Sequence, residues 1–153
     1  MKPITVTVDV PQPRDRVFAY LEVMRNHERF TDHMLTNWRY GGPDRGVGAA
    51  ARVDTKLAGK ADSLFIETVS SLPPAKIVEH NVGAGGRRHA SGTYALETLP
   101  AGGTRVSFRY AWQEAPRSER LLSPLVRAVM RRPLQRSMHR LAEQLDASEG
   151  GTR

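Results

Sequence analysis

Histidine is the residue type in this chain best suited to acid–base or metal chemistry near neutral pH, and five histidines are present. His27-Glu28 begins a string that resembles the HExxH zinc motif, but position 31 is Thr, so the second metal ligand is missing. The other histidines are His33, His80, His89 and His139. They lie on different predicted elements and share no face with carboxylates at i, i+4 spacing, so we expect no metal site.

Two further segments resemble known functional motifs, but each lacks a glycine that the motif requires. Residues 83–86 (Gly-Ala-Gly-Gly) follow a predicted strand, as a dinucleotide-binding loop would, but the third glycine of that fingerprint is replaced by Arg88 and another strand follows. Ser91 lacks the flanking glycine of a nucleophile elbow, because His89 occupies that position. No P-loop and no paired carboxylates stand out. The sequence therefore predicts no cofactor and assigns no catalytic residue.

Alternation of apolar and polar residues with a period of two dominates residues 4–113 and predicts a series of β-strands. The expected strands span residues 4–10, 34–40, 48–57, 62–72, 76–82, 88–98 and 105–113. Short turns rich in Gly and Pro separate the later strands, which favours an antiparallel meander.

Helical spacing of apolar residues predicts two short helices over residues 14–23 and 25–30, and one long helix over residues 118–145. The long helix is the only large apolar partner for a sheet with one apolar face. We therefore expect an α+β fold, with a seven-stranded curved antiparallel sheet wrapped around the C-terminal helix. One domain over residues 1–147 and a flexible tail over residues 148–153 complete the prediction.

Aromatic, methionine and leucine side chains on the predicted apolar faces are the candidate ligand contacts. They are Tyr94, Phe108, Tyr110, Trp112, Met130, Leu134 and Met138. Filling a core is the simpler interpretation, and lining a cavity is the functional one, with the Tyr hydroxyl and Trp N–H as polar handles. His80 alternates with Val78 and Val82, so we also expect it to point inward, where it would contact a ligand or transfer a proton.

The positive charge of the chain is concentrated near its C-terminus. The formal net charge is +7, and residues 120–142 contain six arginines and no Asp or Glu. A solvated helix face explains these arginines most simply. The alternative is weak contact with an anionic membrane surface through Arg127, Arg131, Arg132 and Arg136. Nucleic acid is not an expected partner, because no aromatic residues stand between the arginines to stack on bases.

Two absences narrow the class of protein. The chain has no cysteine, which excludes disulfides, thiolate chemistry and Cys-ligated metal sites. No apolar run approaches the roughly 20 residues that span a bilayer, and residues 1–7 alternate instead of forming a signal-peptide block. We therefore expect a cytoplasmic protein.

The order of predicted elements resembles the START-related SRPBCC superfamily, and is most similar to its polyketide cyclase/dehydrase and coenzyme-Q-binding branches. The residues that carry the resemblance are 6–13 with 16–21, 71–78, and 92–97 with 103–106. The resemblance implies a helix-grip fold with a cavity for hydrophobic ligands between the sheet and the C-terminal helix. It implies no catalytic residue, because the superfamily has no universal ones.

Three functional hypotheses follow. The leading one is binding or transport of a hydrophobic small molecule, such as a lipid, polyketide or isoprenoid, without a cofactor. The second is a cofactor-free cyclase or dehydratase in which His80, Tyr94 or Tyr110 moves protons. The third is an interaction protein with a closed interior, whose basic helix docks a partner. Inward positions that are apolar, small or aromatic favour the first hypothesis over the second.

Overall fold

The computed structural model describes residues 1–57 and 59–150, which contain seven strands and four α-helices. The strands are β1 (Ile4–Val10), β2 (Leu35–Gly41), β3 (Ala50–Leu57), β4 (Lys60–Leu72), β5 (Lys76–Gly83), β6 (Arg88–Thr98) and β7 (Thr104–Glu114). The helices are α1 (Arg14–Leu21), α2 (Met24–Thr31), α3 (Arg117–Leu121) and α4 (Ser123–Gly150).

All seven strands form one antiparallel sheet in the order β1-β7-β6-β5-β4-β3-β2. Each strand from β2 to β7 pairs with its neighbour in the chain, as expected for a meander joined by short turns. The first strand closes the order by pairing with the last, with Val6 opposite Phe108. The predicted α+β helix-grip fold is therefore confirmed.

Period-two alternation decides which side chains face the core. On β7, Val106, Phe108 and Tyr110 are buried, while Arg105 and Arg109 at alternate positions are exposed. Strand β1 follows the same rule, and both strands contribute to one large apolar cluster with α1 and α4. On these two strands the inner face of the sheet is therefore apolar, and the outer face is mostly polar.

The two halves of helix α4 differ in how many of their side chains are buried. The residues that it buries lie in its second half and are Leu134, Ser137, Met138, Leu141 and Leu145. No residue from 123 to 133 is buried. The second half packs on β1 and α2. The first half leaves its apolar side chains partly or fully exposed.

The predicted single helix over residues 118–145 is wrong at both ends. Residues 117–121 form the separate helix α3, because the backbone at Leu122 leaves helical geometry at φ −98° and ψ 21°. Helix α4 then begins at Ser123 and continues to Gly150, through residues 148–150 of the predicted tail. The rest of that tail, residues 151–153, lies outside the described residues. The other predicted bounds fall within two residues of the observed ones.

Truncation of a core leucine on α4 tests this division of the helix. Leu141 is fully buried, whereas Leu125 is 59% exposed on the same helix. We expect Leu141→Ala to lower the free energy of unfolding by about 3 kcal/mol, because it leaves a cavity. The matched Leu125→Ala should change it by less than about 0.5 kcal/mol. Urea denaturation measures both, and equal losses would contradict the described packing.

Candidate functional site

A cavity of about 830 Å³ lies between the inner face of the sheet and helix α4. Strands β2 to β7 form its wall, and residues of α4 from Val126 to Met138 form its roof. Helix α2 bounds one end with His27 and Thr31, and α3 bounds the other with Ser118 and Glu119. Most lining side chains are apolar or aromatic, so the cavity presents an apolar interior with a few polar groups.

The predicted ligand contacts converge on this cavity with one exception. Those that line it are Tyr94, Phe108, Tyr110, Trp112, Met130, Leu134 and Met138. The aromatic members touch one another, with ring centroids 4.7 Å apart for Tyr94 and Phe108 and 4.9 Å for Tyr110 and Trp112. The strand and helix periodicities therefore placed these side chains on a common side.

The exception is His80, for which the inward orientation predicted from the sequence is wrong. On β5 the buried positions are Ile77, Glu79, Asn81 and Gly83, so His80 lies on the opposite face of the sheet. There its ring stacks on His89, with Nε2 of His80 3.3 Å from Nδ1 of His89. Both faces of this strand carry aliphatic residues, so its alternation alone did not show which face is inside.

A buried ion pair between His27 and Glu79 forms the α2 end of the cavity, which we call the inner end. Each residue is only 4% exposed, and His27 Nδ1 lies 3.1 Å from Glu79 Oε1. The other ring nitrogen, Nε2, donates to the carbonyl oxygen of Leu21 at the end of α1, at 2.6 Å. Both residues also line the cavity.

The contacts of His27 fix where its protons lie. A carbonyl oxygen only accepts hydrogen bonds, so Nε2 carries a proton. Nδ1 lies 3.1 Å from a carboxyl oxygen. This approach is favourable when the pair holds a second proton, as imidazolium and carboxylate or as imidazole and carboxylic acid. Burial lowers the pKa of His27, but the charge of Glu79 and the two acceptors raise it by more, so that pKa ends above its usual value. This favours the ionic form of the pair.

Several other polar groups at the cavity wall have no protein partner. The side chains of Asn81, Tyr94 and Tyr110 make no hydrogen bond to another residue in 1–57 or 59–150, and Trp112 Nε1 is buried without an acceptor. Burial, followed by the charge of Glu79, raises the pKa of Tyr94 well above its usual value. Burial also raises the pKa of Tyr110 to about 12. Both phenols therefore keep their protons at neutral pH and can donate hydrogen bonds.

The α3 end of the cavity reaches the surface, and we call it the mouth. Its exposed lining residues are Lys60, Ala61, Gly85, Arg87, Ser118, Leu122 and Leu125. Arg88 of β6 contacts two of the elements that form the mouth. It donates from Nη1 to Asp62 of β4 at 2.8 Å and from Nε to Glu119 of α3 at 2.9 Å. Arg88 therefore ties α3 to the sheet.

Large apolar side chains are exposed beside this mouth. Leu121, Leu122 and Leu125 are 83%, 54% and 59% exposed. Leu125, Arg132 and Arg136 follow one stripe of α4 at helical spacing, so the apolar patch continues into basic residues. Arg127 is half-buried instead and donates to the carbonyl oxygen of Pro3.

Two structural features are absent from residues 1–57 and 59–150. No group of three or more His, Asp or Glu side chains there could hold a metal ion. None of the helices in those residues is long and apolar enough to cross a membrane.

Sequence reasoning missed both members of the ion pair at the inner end of the cavity. Inward positions were expected to be apolar, small or aromatic, whereas Glu79 and Asn81 face inward on β5. The detectable signal was the alternation Ile77-x-Glu79-x-Asn81, which competed with Val78-x-His80-x-Val82. His27 lies on α2 beside buried Phe30, and only the tertiary fold brings it to Glu79.

Comparison with known proteins agrees with the architecture. A family model described as polyketide cyclase/dehydrase and lipid transport matches residues 1–146. No curated protein sequence matches the chain.

Solved structures share the fold at low sequence identity. TTHA0849 from Thermus thermophilus superposes with a TM-score of 0.73 at 16% identity, covering 96% of this chain and 99% of that one. Zhui aromatase/cyclase from Streptomyces sp. R1128 gives 0.70 at 16% identity, covering 95% and 93%. Ms6760 from Mycobacterium smegmatis gives 0.67 at 14% identity, covering 95% and 92%. At these identities the likeness shows the fold alone.

A double-mutant cycle tests the buried ion pair. We expect His27→Leu to lower the free energy of unfolding by about 3 kcal/mol, because it leaves the Glu79 carboxylate buried without a counter-charge. The double variant with Glu79→Leu should recover most of that loss, since no charge remains buried. Urea denaturation of the wild type, both single variants and the double variant measures the coupling. Additive losses would show that the two residues do not stabilise each other.

The pH dependence of the same cycle has a definite sign. Because the pKa of His27 is raised by folding, its charged form stabilises the protein fully below the unfolded value of about 6.5. That contribution disappears as the pH rises through the raised pKa. Glu79 of β5 and the Tyr94 phenol of β6 are the titratable groups that face His27. The deficit of His27→Leu should therefore be larger at about pH 6 than at about pH 9.

Proposed function

The chain belongs to the polyketide cyclase/dehydrase and lipid transport family, and on that premise we propose that its cavity binds a hydrophobic small molecule. The candidate ligands are a lipid, a polyketide or an isoprenoid-like compound. The observation that carries the proposal is the apolar cavity of about 830 Å³ that reaches the surface beside α3. An interior of this kind argues against an interaction protein with a closed core.

The size and chemistry of the cavity suit a ligand of moderate size. Ligand pockets commonly occupy about 300–1,000 Å³ and combine apolar walls with a few polar groups that set orientation. Here Val129 and Met130 of α4 line the cavity together with the aromatic residues of β7. A ligand that covers these side chains would gain about 25 cal/mol for each Å² of apolar surface it removes from water.

Catalysis by a cyclase or dehydratase is the second candidate function, and one specific observation favours it. The buried His27–Glu79 pair places an acid–base group at the inner end, among side chains that line the cavity. Tyr94 and Tyr110 remain candidate proton donors from the sequence, while His80 does not, because it lies on the outer face. Zhui, which shares the fold, is itself an aromatase/cyclase.

Ligand exchange at an anionic membrane surface is a further part of the proposal. The exposed leucines beside the mouth would enter the interface, and the neighbouring Arg131, Arg132 and Arg136 would contact lipid headgroups. No ion pair with another residue in 1–57 or 59–150 neutralises these three arginines. Arg127 is less available, since it is half-buried against Pro3.

Binding of a dansyl-labelled fatty acid tests the cavity. We expect Tyr110→Ala and Leu134→Ala each to raise the dissociation constant about tenfold, which corresponds to about 1.4 kcal/mol of lost contact. Leu72→Ala is the matched control, because Leu72 is exposed and does not line the cavity. Fluorescence titration measures all four proteins. Unchanged affinity in both cavity variants would contradict a binding site there.

Co-sedimentation with phosphatidylserine vesicles tests the membrane contact. We expect weak pelleting of the wild type that declines as salt rises, because surface charges are screened. A variant with Arg131, Arg132 and Arg136 changed to Gln should pellet less at low salt. The control changes Arg39, Arg52 and Arg109 to Gln, which removes the same charge from exposed sites on the strands. Equal pelleting of the two variants would rule out a specific role for the α4 arginines.

A further inference from the structure

The buried ion pair at the inner end of the cavity has chemistry that ligand binding alone does not use. We propose that Glu79, with its charge balanced by His27, is a general base that removes a proton from the carbon next to a ligand carbonyl group. This inference rests on the proposed function, because it requires a ligand in the cavity. It names the reacting class as an enolisable ketone.

Glu79 and not His27 is the group that can reach the ligand. Both nitrogens of His27 already face protein atoms, with Nε2 2.6 Å from the Leu21 carbonyl oxygen and Nδ1 3.1 Å from Glu79 Oε1. Neither nitrogen is free to exchange a proton with a bound molecule. Glu79 has two oxygens and contacts His27 through Oε1, so its carboxyl group can serve the cavity as well. His27 is therefore a positioning residue.

The environment of Glu79 suits a base. Its Oε1 atom is sealed from solvent and has no well-directed hydrogen bond, so the nearby imidazolium offsets its charge without saturating the carboxylate. The apolar walls around it keep competing water away from the reacting carbon.

The proposed step balances without an added reagent. The Glu79 carboxylate accepts the proton, the electron pair of the broken C–H bond forms a carbon–carbon double bond, and the carbonyl π pair moves to oxygen to give an enolate. Reversal returns a proton from the Glu79 carboxylic acid to the carbon. The positive charge of His27 remains beside the pair throughout and offsets the charge of the enolate.

Neighbouring residues supply the remaining requirements of such a step. The Tyr94 ring lies edge-on to His27 with 5.5 Å between centroids, and its hydroxyl can donate to the developing oxyanion. Asn81 follows Glu79 on the same face of β5 and offers an amide donor. Tyr94 and Phe108 present aromatic surfaces on which a flat bicyclic ketone can pack.

Deuterium exchange into 2-tetralone, a bicyclic aromatic ketone with acidic hydrogens beside its carbonyl, tests the inference. Proton NMR in D₂O follows the exchange, and line broadening of tetralone reports its binding. We expect the wild type to accelerate exchange on the order of 100-fold over Glu79→Gln. That variant should fold, because the Gln amide can donate to Nδ1 of a neutral His27. The control Glu97→Gln, at an exposed site on β6, should match the wild type.

The outcomes separate this inference from the proposed function. If tetralone binds both proteins and exchanges at equal rates, Glu79 is not the base, while ligand binding stands. If tetralone binds neither protein, the result counts against the proposed cavity function and against this inference with it. Should Glu79→Gln fail to fold, Glu79→Asp replaces it, since the shorter side chain draws the carboxylate back from the ligand. Wild-type exchange rates in Glu79→Asp would then overturn the inference.

Discussion

The unequal packing of α4 is the constraint on which the rest of the structure depends. Its second half buries Leu134, Met138, Leu141 and Leu145 and fixes the helix against β1 and α2. Its first half contains no fully buried residue, and Val126, Val129 and Met130 line the cavity. Apolar surface exposed in this way is costly in water. Under the proposed function, a hydrophobic ligand would complete the core that the helix leaves incomplete.

The two ends of the cavity differ in chemistry, and under the proposed function this difference would orient a bound ligand. At the inner end, Glu79 and His27 form a buried pair close to the Tyr94 ring. At the mouth, Arg88 joins Asp62 and Glu119 in a partly exposed network beside exposed leucines. A ligand with one polar end would therefore enter apolar surface first and meet hydrogen-bonding groups at depth.

Much of the fold could be predicted from local patterns, because alternation on β7 and helical spacing on α4 each have one clear apolar face. Phe108, Tyr110, Leu134 and Met138 follow directly from those periods. Strand β5 could not be assigned in this way, since its two faces are both partly apolar and the hydrophobic pattern does not set the register. The His27–Glu79 contact joins residues far apart in the chain, and no local pattern encodes it. The break at Leu122 was missed because the apolar spacing continues through it.

A cavity that holds a hydrophobic molecule should retain one during purification, and native mass spectrometry of the protein purified from its own host measures this. We expect a species heavier than the 17.0 kDa chain by the mass of one small molecule, with that mass lost when the protein is denatured. The released compound should partition into organic solvent. A native spectrum that shows the mass of the bare chain alone would contradict the proposed function.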